Sequence, residues 1–510
     1  MRPPFSPQRR AALATALILA PACAPAAPST RPAPAAGSGY VVTSRAAFVT
    51  GIDSLVRTQE FRNAHWGILV VDPERGDTLY SHNAGKLFMP ASNQKILTGA
   101  VALARLGPEY RYRTAFVATG PVQDGTLHGD LVVMGSGDPT LSNSMRGDAM
   151  MPLREIADSL AARGIRRIDG VVRSGRDAFP GDNYGFGWAA DDFDYAYSAP
   201  VDELMFNESF TRVTVRGTTP GQPPAVTVSP TPRLLSITME ATTVSRADSG
   251  MARLQYFGAS GAPGDSVRNA VRIVGSIAAG DSTSFNVAHR EPAGAYLDAL
   301  AAALATRGIE VGRQQMTNGE ASGMDTLFVQ QSPPLREILP HFEKPSQNQI
   351  GEVLFRTLAL EATGAGTPNA ARRIVEEQLV AWGADSAGFA VRDGSGLSRH
   401  DYVTPETIVR VLDAMRRHPD FRVFYESLPI AGVDGTIRSR MRGTPAEGNV
   451  HAKTGTVDKA RALSGYVTTA DGRMLIFSTI ANNHTVPNRL VERVQDLLGA
   501  QLAASRVGQW

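Results

Sequence analysis

Ser92 and Lys95 stand three residues apart in Pro90-Ala91-Ser92-Asn93-Gln94-Lys95. On a helix that spacing puts both side chains on one face, within hydrogen-bonding reach of each other. A serine hydroxyl is a poor nucleophile at neutral pH and needs a base beside it. Lysine can serve, because a desolvated ammonium gives up its proton, whereas arginine keeps its proton at any working pH. The chain holds five lysines against forty-six arginines. A GC-rich genome would explain that scarcity but not the placement of the lysines that remain. Lys344 lies two residues before Ser346-Gln347-Asn348, and Lys453 opens Lys453-Thr454-Gly455. A second cation near Lys95 would disfavour its charged form, and Lys453 is the candidate. Ser346 is expected to relay a proton to a leaving group and Asn348 to position a substrate amide. Lys453, Thr454 and Gly455 on an edge strand would bind a carboxylate and align an extended peptide. The backbone N–H groups of Ser92 and Thr456 are candidates for an oxyanion hole.

Taken singly these signals differ in weight. A serine three residues before one of so few lysines arises by chance in roughly one such chain in three, whereas Lys-Thr-Gly arises in only a few per cent. The three in order, each on the element its role needs, form a specific pattern. Other chemistries lack support. The nine histidines show no metal-binding spacing, and Gly135-Ser136-Gly137 and Gly394-Ser395-Gly396 lack the later glycine and lysine of a phosphate loop. No Gly-x-Ser-x-Gly elbow occurs. Neither a metal nor a cofactor is implied.

Several elements must position these residues. A helix is expected over 45–59, then a hairpin of strands 66–71 and 78–81 about the turn Asp72-Pro73-Glu74-Arg75-Gly76-Asp77. Ile96, Leu97, Ala100, Val101, Ala104 and Leu106 follow Ser92 with helical spacing until Gly107, which places Ser92 in the first turn of a largely buried helix. From about 108 to 325 the chain becomes short Val/Thr/Ile-rich segments cut by Gly, Pro and Asp, such as 129–134, 212–217, 225–229 and 270–277, with helices at 152–164 and 293–308. This mostly β region carries none of the three motifs and reads as an insertion. Helices are expected again over 346–362 and 369–382, with the 344–348 segment a loop leading into the first. Strands 450–456, 462–468 and 474–481 then alternate like antiparallel neighbours, and a final amphipathic helix runs through Leu490, Val494 and Leu498. The expected fold is α+β, a helix-flanked antiparallel sheet built from 41–107 and 326–510 around an inserted 108–325.

The three motifs together resemble those of the penicillin-recognising serine enzymes. Pro90-Ala91-Ser92-Asn93-Gln94-Lys95, Gly135-Ser136-Gly137-Asp138-Pro139, Ser198-Ala199-Pro200, the run Asp393 to His400 and His451-Ala452-Lys453-Thr454-Gly455-Thr456 are similar to class C low-molecular-mass penicillin-binding proteins, which are D-alanyl-D-alanine carboxypeptidases and endopeptidases. The similarity extends over most of the chain from about residue 45. It implies peptidoglycan stem peptides as substrate, β-lactams as acylating inhibitors, and the same helix-flanked sheet with an inserted region. It also implies that Arg399 and an aspartate of the insertion, matched to Asp192, hold the amino-acid end of the stem's diamino residue; a surface acidic loop is the alternative for Asp192, with Asp191 and Asp194 beside it. Gln347 departs from the acidic residue common at that place in relatives. A β-lactamase of the same superfamily and an inactive peptidoglycan-binding scaffold remain competing readings. The first would need a group to activate water, for which nothing stands out beyond the shared motifs. The intact motif set speaks against the second.

With 43% hydrophobic and 20% charged residues and a formal charge of +2, the chain can bury a large core and offers no basic stripe for nucleic acid. Arg9 and Arg10 precede the apolar run 11–20 and a Pro/Ala/Ser-rich stretch to about residue 39, which reads as an export signal and tether over 1–40. Export places the protein in the periplasm or cell envelope. Cys23, the single cysteine, has two readings: a lipidated N-terminus tethering the protein to a membrane, or a residue discarded on cleavage near Ala24-Pro25-Ala26. With one cysteine no internal disulfide can form.

Overall fold

The structure, a computed structural model, describes residues 39–175, 177–260, 269–314 and 325–510. The expected export signal, most of the tether and Cys23 lie outside the described residues.

Helix α1 (Arg45–Val56) is capped by the Ser44 hydroxyl, which accepts from the Ala47 N–H at 3.2 Å. It is shorter than expected, since Gln59–Phe61 forms a separate 3-10 turn. Strands β1 (His65–Asp72) and β2 (Asp77–His82) make the hairpin. The Asp72 carboxylate closes its turn by accepting from the N–H groups of Glu74 and Arg75 at 3.0 and 3.2 Å. A 3-10 turn, Ala91–Asn93, leads into α2 (Gln94–Leu106), which stops at Gly107. The second piece of chain supplies α3 (Leu335–Glu343), α4 (Asn348–Thr363), α5 (Pro368–Ala381), α6 (Pro405–Arg416), β3 (His451–Val457), β4 (Ala460–Thr468), β5 (Met474–Asn482) and α7 (Asn488–Ala504).

The two pieces meet in one antiparallel sheet of order β3-β4-β5-β1-β2, with β3 at an edge. Side chains alternate across a strand, and here the alternation serves two cores. Ala462, Tyr466, Ile476 and Ile480 pack with α2 and α4 on one face. Trp66, Ile68, Leu463, Val467 and Phe477 pack with Phe48 and Ile52 of α1 and Val491 and Leu498 of α7 on the other. Ile96, Leu97, Ala100, Val101 and Leu103 of α2 are wholly buried. Each large aliphatic side chain so buried contributes about 1.5–3 kcal/mol, so α2, which bears Lys95, is among the most firmly held parts of the fold, while Ser92, expected in its first turn, lies in the 3-10 turn that leads into it.

Between α2 and α3 the described residues form three further sheets. One contains Arg113–Ala118, Leu131–Met134, Arg167–Ser174 and Asp325–Gln331, covered by helices Met150–Ala162 and Pro292–Ala305. The other two, each three-stranded, share a core of Val213, Val215, Val271 and Ile273. Asp325–Gln331 pairs antiparallel with Arg113–Ala118, so the region leaves and rejoins the rest at neighbouring points. Its last strand runs to Gln331, past the expected edge at 325. The helix expected from Ser346 begins instead at Asn348, because Ser346 has φ +63° and a left-handed residue cannot continue an α-helix.

Candidate active site

Lys95 and Lys453 are both completely buried. Lys95 Nζ donates to Ser92 Oγ at 3.1 Å, to Asn348 Oδ1 at 2.6 Å and to the Ser395 carbonyl at 2.6 Å. Lys453 Nζ donates to Ser346 Oγ at 2.8 Å and to the Thr454 carbonyl at 3.1 Å. The expected nucleophile thus touches its expected base, and the second serine touches the second cation. Burial lowers Lys95 from 10.5 to about 8, against the opposing pull of Asp393, Glu343, Glu352 and Asp401. This corrects the expectation that Lys453 does the lowering. Burial is the cause at Lys95, and the repulsion between the two lysines falls on Lys453, which burial and the Lys95 charge both lower and Glu343 raises.

The backbone brings these groups together by close approach. The Asn93 amide donates to the Lys453 carbonyl at 2.8 Å and accepts from Ser464 Oγ at 2.6 Å, tying the nucleophile turn to β3 and β4. A Cβ on Gly455 would lie 2.3 Å from the Pro90 carbonyl oxygen, so glycine is what lets the edge strand pass this near to Ser92. Beneath Lys95, the Glu352 Oε1 accepts from the N–H groups of Gly394 and Ser395 at 3.1 and 2.8 Å. The Asp393 carboxylate accepts from Gly396, Ser398 and the Trp188 indole at 2.6, 2.7 and 2.8 Å. These bonds hold the Ser395 carbonyl on Lys95. Burial, then Asp393, pushes Glu352 up to about 8 and Asp401 well above the usual carboxylate range.

Ser92, Ser346, Asn348, Thr454 and Thr456 line one cleft of about 750 Å³, and Asp192 and Arg399 line it too. Asp192 Oδ1 accepts from the Tyr197 hydroxyl at 2.5 Å, and the Tyr197 carbonyl accepts from Asn348 Nδ2 at 2.6 Å. Asp191 shares the cleft, whereas Asp194 is paired with Arg290 at 2.6 Å. Arg399 donates to the Asp458 carbonyl at 3.3 Å. Lys344 lies apart from this network: its ammonium reaches Asp434 at 2.6 Å and the Leu428 carbonyl at 3.1 Å, an anchoring role. Gln347 has a local reason, since it accepts from the Ile350 N–H and donates to Glu208 Oε2 at 2.7 Å. An acidic side chain there would face a carboxylate. A second cleft of about 800 Å³, lined by Tyr184, Phe186, Arg372 and Arg392 among others, holds none of the motif residues.

The D-Ala-D-Ala carboxypeptidase 3 (S13) family model matches residues 49–501. The chain belongs to that family. This S13 chain is 33% identical over 478 residues to a D-alanyl-D-alanine carboxypeptidase of Actinomadura sp. (strain R39), covering 89% of this chain and 84% of the relative. It is 28% identical over 431 residues to the D-alanyl-D-alanine carboxypeptidase DacB of Haemophilus influenzae, covering 82% and 85%. Its fold is that of penicillin-binding protein 4 (dacB) from H. influenzae, with TM-score 0.76 at 24% identity over 88% of this chain and 97% of the other. A second crystal structure of that protein, complexed with a β-lactam, matches with TM-score 0.72 at 22% identity over the same shares. The S13 chain is therefore a serine hydrolase of the D-Ala-D-Ala carboxypeptidase class with a penicillin-recognising fold.

Sequence reasoning passed over Asn93, Tyr197, Glu343, Glu352 and the Ser395 carbonyl. Glu352 was within reach, standing four residues after Asn348 and so on the same helical face. Asn93 sits inside the first motif, but its partner Ser464 is 371 residues away. Among the described residues no His/Cys/Asp/Glu group is placed to hold a metal, and no helix is long and apolar enough to cross a membrane.

Proposed function

We propose that the protein is an exported peptidase of the cell envelope that cleaves peptidoglycan stem peptides and cross-links at D-Ala through an acyl-enzyme on Ser92, and that β-lactams acylate the same serine. The observation that carries this is the contact between Ser92 Oγ and the buried Lys95 ammonium at 3.1 Å. In the reaction Ser92 Oγ attacks the D-Ala carbonyl and Lys95 takes its proton. The developing oxyanion sits against the backbone N–H groups of Ser92 and Thr456. Ser346, held by Lys453, relays to the departing amine the proton that Lys95 took, which leaves Lys95 neutral again. Water then releases the acyl group and restores Ser92. Lys453, Thr454 and Gly455 hold the substrate carboxylate and align the peptide with β3, while Asn348 positions its amide. Asp192 and Arg399, in the same cleft, hold the remote end of the stem's diamino residue. We assign the peptidase domain to 41–107 and 332–510, residues 108–331 to an insertion that ends with the strand Asp325–Gln331, and residues 1–40 to an export signal and tether, with Cys23 either lipidated or removed.

Purified muropeptides incubated with the mature protein should yield products shorter by D-Ala, split cross-links, or both, identified by mass. Penicillin should leave a lasting adduct that peptide mapping assigns to Ser92 and that Ser92→Ala lacks. An adduct on another serine would end this reading, and rapid turnover of the penicillin would favour a β-lactamase.

A further inference from the structure

The last residue of α3, Glu343, is completely buried, and neither carboxyl oxygen has a hydrogen-bond partner among the described residues. Buried carboxyl groups are ordinarily hydrogen-bonded, because leaving them unpaired in a low dielectric is unfavourable. The fold makes deliberate room for this one. Gly99 lies in the interior of α2, and a Cβ there would stand 2.6 Å from Glu343 Oε1. Glycine in a helix interior is unfavourable, so α2 gives up helix stability where the carboxyl enters. Gly99 is four residues beyond Lys95, on the same face one turn along. Burial pushes the Glu343 carboxyl up to about 7, with the Lys453 and then the Lys95 charge pulling against it, so it is a carboxylate on the alkaline side of that value.

Acylation at Ser92 needs one neutral lysine to accept a proton and one charged lysine to hold a carboxylate. The active form is thus the lysine pair with a single proton, and it persists only between the two titration steps that belong to the pair. Burial disfavours charge on both lysines. Around Lys95 stand Asp393 and Asp401 of the segment between α5 and α6 and Glu352 of α4, along with Glu343. Glu352 and Asp401 are themselves pushed toward their neutral forms, and Asp393 is committed to the Gly396, Ser398 and Trp188 bonds. On Lys453 the opposing carboxylate is Glu343. Neighbouring Lys344 points away to Asp434.

We propose that Glu343 is a positioning residue acting through charge: its buried carboxylate keeps the last proton on the Lys95–Lys453 pair and so sets the upper pH limit of the site. This rests on the Ser92–Lys95 reading above, and the two can fail separately. The test is the second-order rate of penicillin acylation from pH 5 to 10 for wild type, Glu343→Gln and Glu343→Asp. A nearby opposite charge moves a titration by roughly one to three units, so the alkaline limb of the Glu343→Gln profile should fall by about one unit or more. Glu343→Asp keeps the charge and should leave that limb in place. A Glu343→Gln profile that superposes on wild type overturns the proposal. So does a Glu343→Asp limb displaced as far as that of Gln, which would make shape the determinant. Should Glu343→Gln fail to fold by circular dichroism, Glu343→Asp decides alone, a limb in place supporting the proposal and a displaced limb overturning it. Failure of the wild type to form a Ser92 adduct would instead count against the functional reading.

Discussion

Among the five lysines, Lys95 and Lys453 are those the fold buries completely, and the difference between lysine and arginine can be tested there directly. Lys95→Arg preserves charge but cannot be deprotonated. It should fold normally by circular dichroism and be acylated by penicillin at least about a hundredfold more slowly, the low end of what a positioned base contributes. Lys453→Arg keeps the charge its role needs and should retain measurable, size-limited activity. A near wild-type rate for Lys95→Arg would remove Lys95 as the base. The pH dependence follows from the same two residues. Burial lowers both Lys95 and Lys453, and the coupled pair loses its protons in two steps, so wild-type acylation should rise as the first proton leaves the pair and fall as the last one does. A rate that is flat from pH 6 to 9 would contradict the assignment. That Ser92, Lys95, Ser346, Asn348 and Lys453 come together was legible in the sequence because they sit in short contiguous motifs. Glu343 was not. Nothing near it in the chain signals a carboxyl destined for a space opened by Gly99, 244 positions earlier in the numbering.

At the scale of elements, periodicity located α2, α4, α5, α7 and the five strands of the sheet to within a few residues, because each buries one continuous face. Boundaries were lost where backbone strain intervened. Ser346 at φ +63° delays α4, and that displacement turns its hydroxyl onto Lys453 at 2.8 Å. The edge position of β3 makes a further demand. Its start is bridged by Ile430 at His451, and an extended substrate would lie along its outer side beyond that point, while its Gly455 must clear the Pro90 carbonyl. Gly455→Ala should force the strand away from the nucleophile turn. We expect a loss of stability of about 1–3 kcal/mol, the usual range for overpacking, together with acylation slowed far more than Tm alone would suggest. Denaturant unfolding and penicillin labelling measure the two separately. Unchanged labelling would show that the close approach is incidental to the chemistry.

Across the whole molecule, the cleft joins residues from both pieces of the sheet to Asp192 and Tyr197 of the intervening region. On the proposed binding mode, a small penicillin at Ser92 lacks the remote stem end that Arg399 would hold. Arg399→Ala should therefore weaken turnover of natural stem peptides far more than penicillin acylation, since binding at a remote contact supports catalysis only for substrates that reach it. Equal losses, measured as kcat/KM for a stem peptide and as the acylation rate, would move Arg399 into the shared chemistry or the fold. The pairing of Arg113–Ala118 with Asp325–Gln331 also orders events during synthesis. Ribosomes add ~5–20 residues per second, so Ser92 and Lys95 emerge on the order of ten to fifty seconds before Ser346. Once the intervening segment has folded, its ladder brings the flanking chain ends side by side, replacing a long loop closure by a short one. Even then β1 has no partner on its β5 side, and Lys95 no Lys453, until the last strands arrive. Wherever it folds, Ser92 thus stands beside its base long before the chain carries the residues that complete the site, and its reactivity waits on the last strands.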